Sequence, residues 1–186
     1  MQNKEIRAVF DENTIRVYQA YNPVIAEEAV RLGTFGPHFS MTRMTWIKPS
    51  FLWMMYRCGW AEKAGQEHVL AIDLKRSGFD SAVQQAVISS YRPDCGMTQA
   101  EWQAAVQTSD VRVQWDPEKD ISGQNLPYRS IQLGLRGKAV QDYVHDWIVQ
   151  ITDITEQVHE WNSRRLAGED ISGLLPQEQL YPMPDQ

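Results

Sequence analysis

Apolar and polar positions along the chain follow two periods, one of two residues and one of three to four. Thr14–Tyr21 and His68–Leu74 are β-prone runs, and the turn residues Asp11–Asn13 separate the first from another such run, Ile6–Phe10. This order predicts a β-hairpin at the start of the chain and a further strand after it. Three other runs have the composition of strands: Met41–Ile47, Val111–Trp115 and Arg129–Leu135.

Helix signals stand between these runs. Asn22 followed by Pro23 predicts a capped helix start, and Gly33 predicts the end of that helix. Phe51–Trp60 is apolar on nearly every face, which is typical of a buried helix. Thr98-Gln-Ala-Glu matches a capping box and predicts the start of a short helix.

The clearest helical period lies near the C-terminal end. Apolar residues recur at spacings of three and four from Val140 to Trp161, which predicts one long amphipathic helix. From Arg164 this pattern gives way to residues rich in Gly and Pro. The whole order predicts an α+β fold with a mixed or antiparallel sheet, a buried helix and a long C-terminal amphipathic helix. We expect a single domain over residues 1–163 and an irregular C-terminal tail over 164–186.

Composition is that of an ordinary globular chain of 186 residues, with 42% apolar and 23% charged residues. Its two cysteines lie far apart, which favours a reducing compartment. Its longest apolar run is far shorter than the roughly 18 residues of a membrane span. We therefore expect a cytoplasmic protein without a membrane partner. The four histidines are scattered, so no metal site is predicted, and the sequence leaves the cofactor unknown.

The charged residues are distributed unevenly along the chain, and this distribution bears on the ligand. A net charge of −6 argues against broad nonspecific binding to nucleic acid. Yet no acidic residue lies between Glu28 and Glu62, where four cations fall: Arg31, Arg43, Lys48 and Arg57. This acid-free window predicts a local anion site inside an acidic protein. The alternative is a chance cluster of solvated charges.

The most informative part of the window joins a predicted strand to a predicted helix that begins at Pro49. Unpaired backbone N–H groups and the helix dipole attract anions at such a start. Lys48 and Ser50 flank the start, and Arg43 and Arg57 stand on either side. These residues predict an anion cradle. The alternative is a core helix with Ser50 in its first turn and a salt bridge at Arg57.

Two later strands also place polar side chains together. Gln114 and Asp116 alternate onto one strand face, and Glu118 follows just beyond. Carboxylates at a strand end suit general base catalysis, and an exposed Asp-Pro turn is the alternative. On the next strand Arg129 is predicted to be a second cation that faces the phosphate or carboxylate of a ligand, and Gln132 a ligand-binding residue of the other face.

Four stretches of the chain together resemble the family catalogued as domain of unknown function 4291: IRAVFDENTIRVYQAYNPVIAEEA, RMTWIKPSFLWMMYRCGWAEKAGQEHVLAI, VRVQWDPE and YRSIQLGL. The resemblance runs from about Ile6 to Thr155. It implies a small stand-alone protein of bacterial or fungal type. It assigns no reaction and transfers no catalytic residues.

From the residues themselves we predict an enzyme that binds a nucleotide or another phosphorylated ligand. It would be a transferase, such as one for ADP-ribosyl or nucleotidyl transfer with RNA among the acceptors, or a hydrolase. The predicted catalytic residues are Asp116, Glu118 and Arg43. The predicted ligand-binding residues are Lys48, Ser50, Arg57, Trp46, Trp53, Gln114, Arg129 and Gln132. The alternative is a non-catalytic module that binds a nucleotide or a partner protein.

Overall fold

The structure, a computed structural model, describes residues 3–184. Its strands are β1 (Asn3–Lys4), β2 (Arg7–Ala8), β3 (Thr14–Tyr21), β4 (Thr45–Ile47), β5 (His68–Lys75), β6 (Val87–Ile88), β7 (Val111–Lys119), β8 (Asn125–Leu135), β9 (Ile148–Asp153) and β10 (Gln179–Leu180). Its helices are α1 (Pro23–Leu32), α2 (Phe51–Cys58), α3 (Arg76–Gln85), α4 (Gln99–Thr108), α5 (Gly137–Asp142), a π-helical turn (Tyr143–Trp147) and α6 (Thr155–Leu166). None of the helices within residues 3–184 is long and apolar enough to cross a membrane. The predicted α+β class is confirmed.

The strands form two main sheets that meet at β4. The larger sheet is mixed and has the order β1-β8-β7-β6, with β4 antiparallel to the second half of β8. The smaller sheet, β3-β5-β9, is antiparallel throughout. Directly after β4, Lys48 pairs with Tyr18 of β3, and the Tyr18 N–H donates to the Lys48 carbonyl at 2.8 Å. This pairing brings the edges of the two sheets together.

The helix α2 packs beside this junction and is buried as predicted. Five of its eight residues are buried: Phe51, Trp53, Met54, Met55 and Cys58. Ser50 caps the helix by accepting from Trp53 N. Gly59 ends it in the left-handed region, at φ 58°, where glycine carries no Cβ penalty. The helix therefore stops short of the predicted end at Trp60, and Pro49 precedes the cap instead of opening the first turn.

Other local predictions from cap and turn residues are confirmed. The Asn22 side chain accepts from Ile25 N at the start of α1, and Gly33 ends that helix with φ 76°. The capping box of Thr98 and Glu101 starts α4. Among the strands, β3 has the predicted bounds, whereas β7 and β8 extend towards each other until only five residues, 120–124, separate them.

The predicted helix from Val140 to Trp161 is not confirmed. This stretch divides into α5, the π-helical turn, β9 and α6. The free edge of β5 needs partners for its backbone N–H and C=O groups, and β9 supplies them. The residues Ile148–Asp153 are rich in β-branched side chains, which suit a strand. Ile151 is buried and Val149 is exposed, because the pairing passes from Leu74–Ile148 to Asp73–Gln150 and this register shift leaves Val149 without a residue opposite it on β5.

The tail after α6 returns to the body of the protein. Ile171 and Tyr181 are buried, and β10 pairs antiparallel with β2. Just before β10, the Glu178 carboxylate accepts from Phe51 N at 3.0 Å, at the first turn of α2. The C-terminal residues thus cover the start of the buried helix.

Candidate functional site

A cleft of about 720 Å³ opens beside the junction of the two sheets. Its walls come from the end of β3, the start of α1, the loop before β4, β4 itself, α2, and the centres of β7 and β8. Seven of the residues predicted to form a site line it: Arg43, Trp46, Lys48, Trp53, Arg57, Gln114 and Gln132. The fold thus brings together side chains from three separate sequence segments.

Three cations give this cleft a positive charge. Arg43, Lys48 and Arg57 line it, and no aspartate or glutamate is among its lining residues in the described chain. Arg43 and Arg57 are exposed, and neither forms an ion pair within residues 3–184. In a chain of net charge −6, the cleft is therefore a locally positive region.

Lys48 is the buried member of the three, with 6% of its surface exposed. Its Nζ lies 3.5 Å from the Trp46 carbonyl, and no carboxylate of the described residues lies within ion-pair distance. Burial, followed by the charge of Arg57, lowers the pKa of Lys48 from 10.5 to about 8, against a smaller opposing effect of Asp116. A buried ammonium without a carboxylate partner costs folding free energy, and such groups cluster at functional sites.

Two tryptophans provide aromatic surface. Trp46 lies against Gly134 of β8, where a Cβ would come within 3.0 Å of the indole and 2.7 Å of Met44 Sδ. Glycine at this position therefore lets the indole approach the strand closely. Trp53 is 9% exposed, and its indole N–H has no hydrogen-bond partner among the described residues. Buried polar groups usually have a partner, so this donor is an exception within residues 3–184.

The side chains of Gln114 and Gln132 lie side by side because these residues are paired across β7 and β8. The Asp116 carboxylate accepts from both amides, at 2.9 Å from Gln114 Nε2 and 2.7 Å from Gln132 Nε2. Asp116 itself does not line the cleft. It holds the two glutamines in position instead of facing the cleft as the predicted free base.

Glu118 and Ser50 lie outside the cleft lining, in contrast to the prediction. Glu118 is 4% exposed and accepts from Ser50 Oγ at 2.8 Å, while Glu178 accepts from Phe51 N. The predicted anion cradle at the start of α2 is thus occupied by carboxylates of the protein itself. Burial raises the pKa of both carboxyl groups, that of Glu178 to about 8.

Arg129 also lies away from the cleft. It shares a face of β8 with Ile131 and Leu133, which are core residues, whereas Gln132 faces the cleft. Its Nη1 donates to the Trp115 carbonyl at 2.7 Å. The predicted role of Arg129 as a second phosphate-facing cation is therefore corrected, because strand alternation turns it to the other side.

A histidine and a glutamate that the sequence interpretation missed also belong to the site. His38 lines the cleft, and its ring Nδ1 lies 2.7 Å from Glu28 Oε2. The His38 backbone N–H donates to Glu28 Oε1 at 3.0 Å. Gly36 lets the loop approach, since a Cβ there would come within 2.5 Å of the same carboxylate. An oriented imidazole whose Nδ1 is engaged leaves Nε2 for proton transfer.

Replacing Glu178 by glutamine is expected to flatten the pH dependence of stability. Burial raises the pKa of Glu178 from 4.5 to about 8 against the opposing hydrogen bond from Phe51 N–H, while Glu118 raises it and Arg7 lowers it by smaller amounts. The stability that the neutral carboxyl contributes is complete below pH 4.5 and is lost as the pH rises through 8. The free energy of unfolding of the wild type should fall by about 1 kcal/mol over this range, after a discount for partial exposure.

Urea unfolding at acidic, neutral and mildly alkaline pH measures this slope. The matched control is Glu156→Gln, which changes an exposed carboxylate at the start of α6 and should leave the slope unchanged. A slope that stays the same in Glu178→Gln would contradict the assignment.

Comparison with protein families identifies the family of the chain. The family model described as Domain of unknown function (DUF4291) matches residues 5–181, which is nearly the whole sequence. No curated protein matches the chain. The match includes all seven cleft residues named above, the His38–Glu28 pair and the tail segment that covers α2. The chain therefore belongs to the DUF4291 family.

Proposed function

We propose that the cleft binds a nucleotide or another small phosphorylated ligand, and that the protein is an enzyme acting on it. The main support is the set of Arg43, Lys48 and Arg57 in a cleft whose described lining has no acidic residue. Guanidinium groups match phosphate oxygens with paired hydrogen bonds. The volume of about 720 Å³ lies within the common range for small-molecule clefts.

The tryptophans and amides support a ligand with a planar ring. Stacking of a base on an aromatic side chain is worth about 1–3 kcal/mol, and Trp46 and Trp53 both line the cleft. The indole N–H of Trp53, which has no partner in the described part of the chain, suits an acceptor on the ligand. Gln114 and Gln132, held by Asp116, present amide groups of fixed orientation. A nucleotide uses all of these groups at once.

The proposed chemistry uses His38 as the proton acceptor, oriented by Glu28. The cations would stabilise charge that develops on phosphate oxygens, which is often the largest catalytic contribution. Nucleotidyl transfer, ADP-ribosyl transfer and hydrolysis share these needs. Asp116 acts in this proposal by positioning the glutamines, and Glu118 has no part in it.

A non-catalytic binding module is the second candidate. One observation favours it, namely that neither of the two predicted carboxylate bases lines the cleft. The two functions differ in what happens to a bound nucleotide. Recovery of the nucleotide unchanged after long incubation, with water and with RNA as acceptors, would favour the module, whereas conversion that His38→Ala abolishes would favour the enzyme.

Replacing Arg43 by alanine is expected to abolish ligand binding and leave the melting temperature of the free protein nearly unchanged. Arg43 is exposed and forms no ion pair within the described residues, so its loss removes only the contact with the ligand. In a thermal-shift screen of nucleotides, dinucleotides and short RNA, a ligand at a hundredfold excess over its Kd should add about 2.7 kcal/mol to the wild type.

The matched control is Arg31→Ala, at the exposed end of α1 and outside the cleft lining, which should keep the full shift. If no ligand of the panel shifted the melting temperature of the wild type, the proposal that the cleft binds a nucleotide would be wrong. A large loss of stability in Arg43→Ala without loss of binding would make Arg43 a structural residue.

A further inference from the structure

Lys48 differs from the other lysines of the chain in its surroundings. It alone of the six, all of which lie within residues 3–184, is buried. It directly follows β4 at the junction of the two sheets, and it is among the residues that line the cleft. A lysine that only attracted an anion would do so at lower cost from an exposed position, as Arg43 and Arg57 do.

The charged groups around Lys48 come from two elements. Arg57 of α2 opposes its positive charge, while Cys58 of α2 and Asp116 of β7 favour it less strongly than burial opposes it. Asp116 is already engaged by Gln114 and Gln132. A lysine that is desolvated and placed beside another cation is the arrangement that makes an amine a nucleophile at neutral pH.

We infer that Lys48 is a reactive amine that forms an imine with the carbonyl carbon of a phosphorylated aldehyde or ketone held in the cleft. The inference rests on the proposed function in one respect, since the cleft must hold a phosphorylated ligand. It goes further by naming the electrophile and the attacking atom. Arg43 and Arg57 hold the phosphate, and Lys48 meets the carbonyl group.

The step balances without a further reactant. The lone pair of Nζ attacks the carbonyl carbon and forms a C–N bond, while the C=O π electrons move to oxygen. Both hydrogens of the amine then leave with that oxygen as one molecule of water, and the nitrogen and carbon are joined by a double bond. Attack requires the neutral amine, and a pKa of about 8 leaves roughly a quarter of Lys48 neutral at pH 7.5, against about one part in a thousand for an ordinary lysine.

Trapping with borohydride tests the inference on the intact protein. Glyceraldehyde 3-phosphate is the probe, borohydride reduces any imine to a stable secondary amine, and peptide mapping by mass spectrometry locates the adducts. We expect Lys48 to be labelled about tenfold or more faster than each of the other five lysines, given its larger neutral fraction. Inorganic phosphate should suppress this excess, and glyceraldehyde without the phosphate should show a smaller one.

The pH profile separates a reactive amine from a merely accessible one. With unphosphorylated glyceraldehyde, the rate of labelling at Lys48 should rise with a midpoint near pH 8. In Arg57→Gln this midpoint should move upward, because the neighbouring cation no longer disfavours the ammonium form. Arg31→Gln, outside the cleft, should leave it unchanged.

Two results would overturn the inference. One is labelling of Lys48 no faster than that of the exposed lysines, and the other is a midpoint near the ordinary value of 10.5. If glyceraldehyde 3-phosphate or a nucleotide still raises the melting temperature while Lys48 stays unlabelled, the proposed function stands and the imine is excluded. If neither binding nor labelling occurs, both proposals fall.

Discussion

Replacing Lys48 by methionine is expected to raise the free energy of unfolding of the ligand-free protein by about 2 kcal/mol at neutral pH. The wild type holds a buried ammonium group whose Nζ has only the 3.5 Å contact with the Trp46 carbonyl among the residues described. Methionine has a similar length and no charge to desolvate. This increase in the free energy of unfolding is smaller than the full energetic equivalent of the pKa change. Local rearrangement and water relieve part of the cost of burying the ammonium group.

The pH dependence of the wild type identifies the source of that gain. The pKa of Lys48 is about 8 in the folded protein against 10.5 as the ordinary value. Below pH 8 the folded state therefore bears the full cost of the buried charge. Between pH 8 and 10.5 Lys48 is protonated mainly in the unfolded chain, so stability rises with pH over this range. Urea unfolding at pH 7 and at about pH 10 should show this rise in the wild type and not in Lys48→Met.

The same substitution is expected to abolish binding of a phosphorylated ligand. A side chain that destabilises the free protein but is required for ligand binding has a functional role and not a structural one. Lys138→Met is the control, because the Lys138 side chain is exposed and pairs with Asp142 at the surface, so both stability and binding should change little. Destabilisation by Lys48→Met with binding intact would show instead that Lys48 supports the fold.

Gly78→Ala is expected to lower the free energy of unfolding by about 2 kcal/mol, since overpacking usually costs 1–3 kcal/mol. Gly78 lies in α3, and a Cβ there would come within 2.6 Å of Trp147 Cδ1 and closer still to Cγ. These atoms form the root of an indole that is 6% exposed, so the ring cannot turn aside. The better helix propensity of alanine, about 1 kcal/mol, offsets only part of the clash.

A double-mutant cycle checks this explanation. In a Trp147→Leu background the smaller side chain leaves room, and the cost of Gly78→Ala should largely disappear. Gly173→Ala is the control, because nothing lies within 4 Å of a Cβ at that position and its φ is not in the left-handed region. An equal cost of Gly78→Ala in both backgrounds would contradict the proposed contact.

The cleft could be predicted in large part because its residues follow local rules. Gln114 and Gln132 face the same side because strand alternation and cross-strand pairing are regular through the centre of β7 and β8. The cations cluster because the chain has no acid between Glu28 and Glu62. α2 is apolar on nearly every face, and its burial follows from that property of the sequence.

The errors arise where distant segments decide the outcome. The apolar spacing of Val140–Trp161 fits a helix, but the free edge of β5, over 70 residues earlier, draws Ile148–Asp153 into a sheet. Glu118 follows Pro117, where the register of β7 shifts, and is buried against Ser50. No periodicity in the sequence marks this shift. Counting along the strand from Asp116 therefore places the Glu118 carboxylate on the wrong side.

The helix start at Phe51 shows the same limit. A free helix N-terminus attracts an anion, and the sequence around Ser50 indicates that correctly. In the structure the carboxyl group of Glu178, 127 residues further along the chain, takes this position by accepting from Phe51 N. Likewise the approach of His38 to Glu28 depends on the path of a loop that no short motif encodes.

The connection between β3 and β4 has a consequence for motion. The hydrogen bond from Tyr18 N–H to the Lys48 carbonyl and the one from Gln19 Nε2 to the Trp46 carbonyl, 2.8 and 3.0 Å long, cross from one sheet to the other beside the cleft. Any hinge motion that opens the cleft between the sheets must break them. Hydrogen exchange at the Tyr18 amide therefore measures how often the two sheets separate, and a ligand bound across the cleft should slow that exchange.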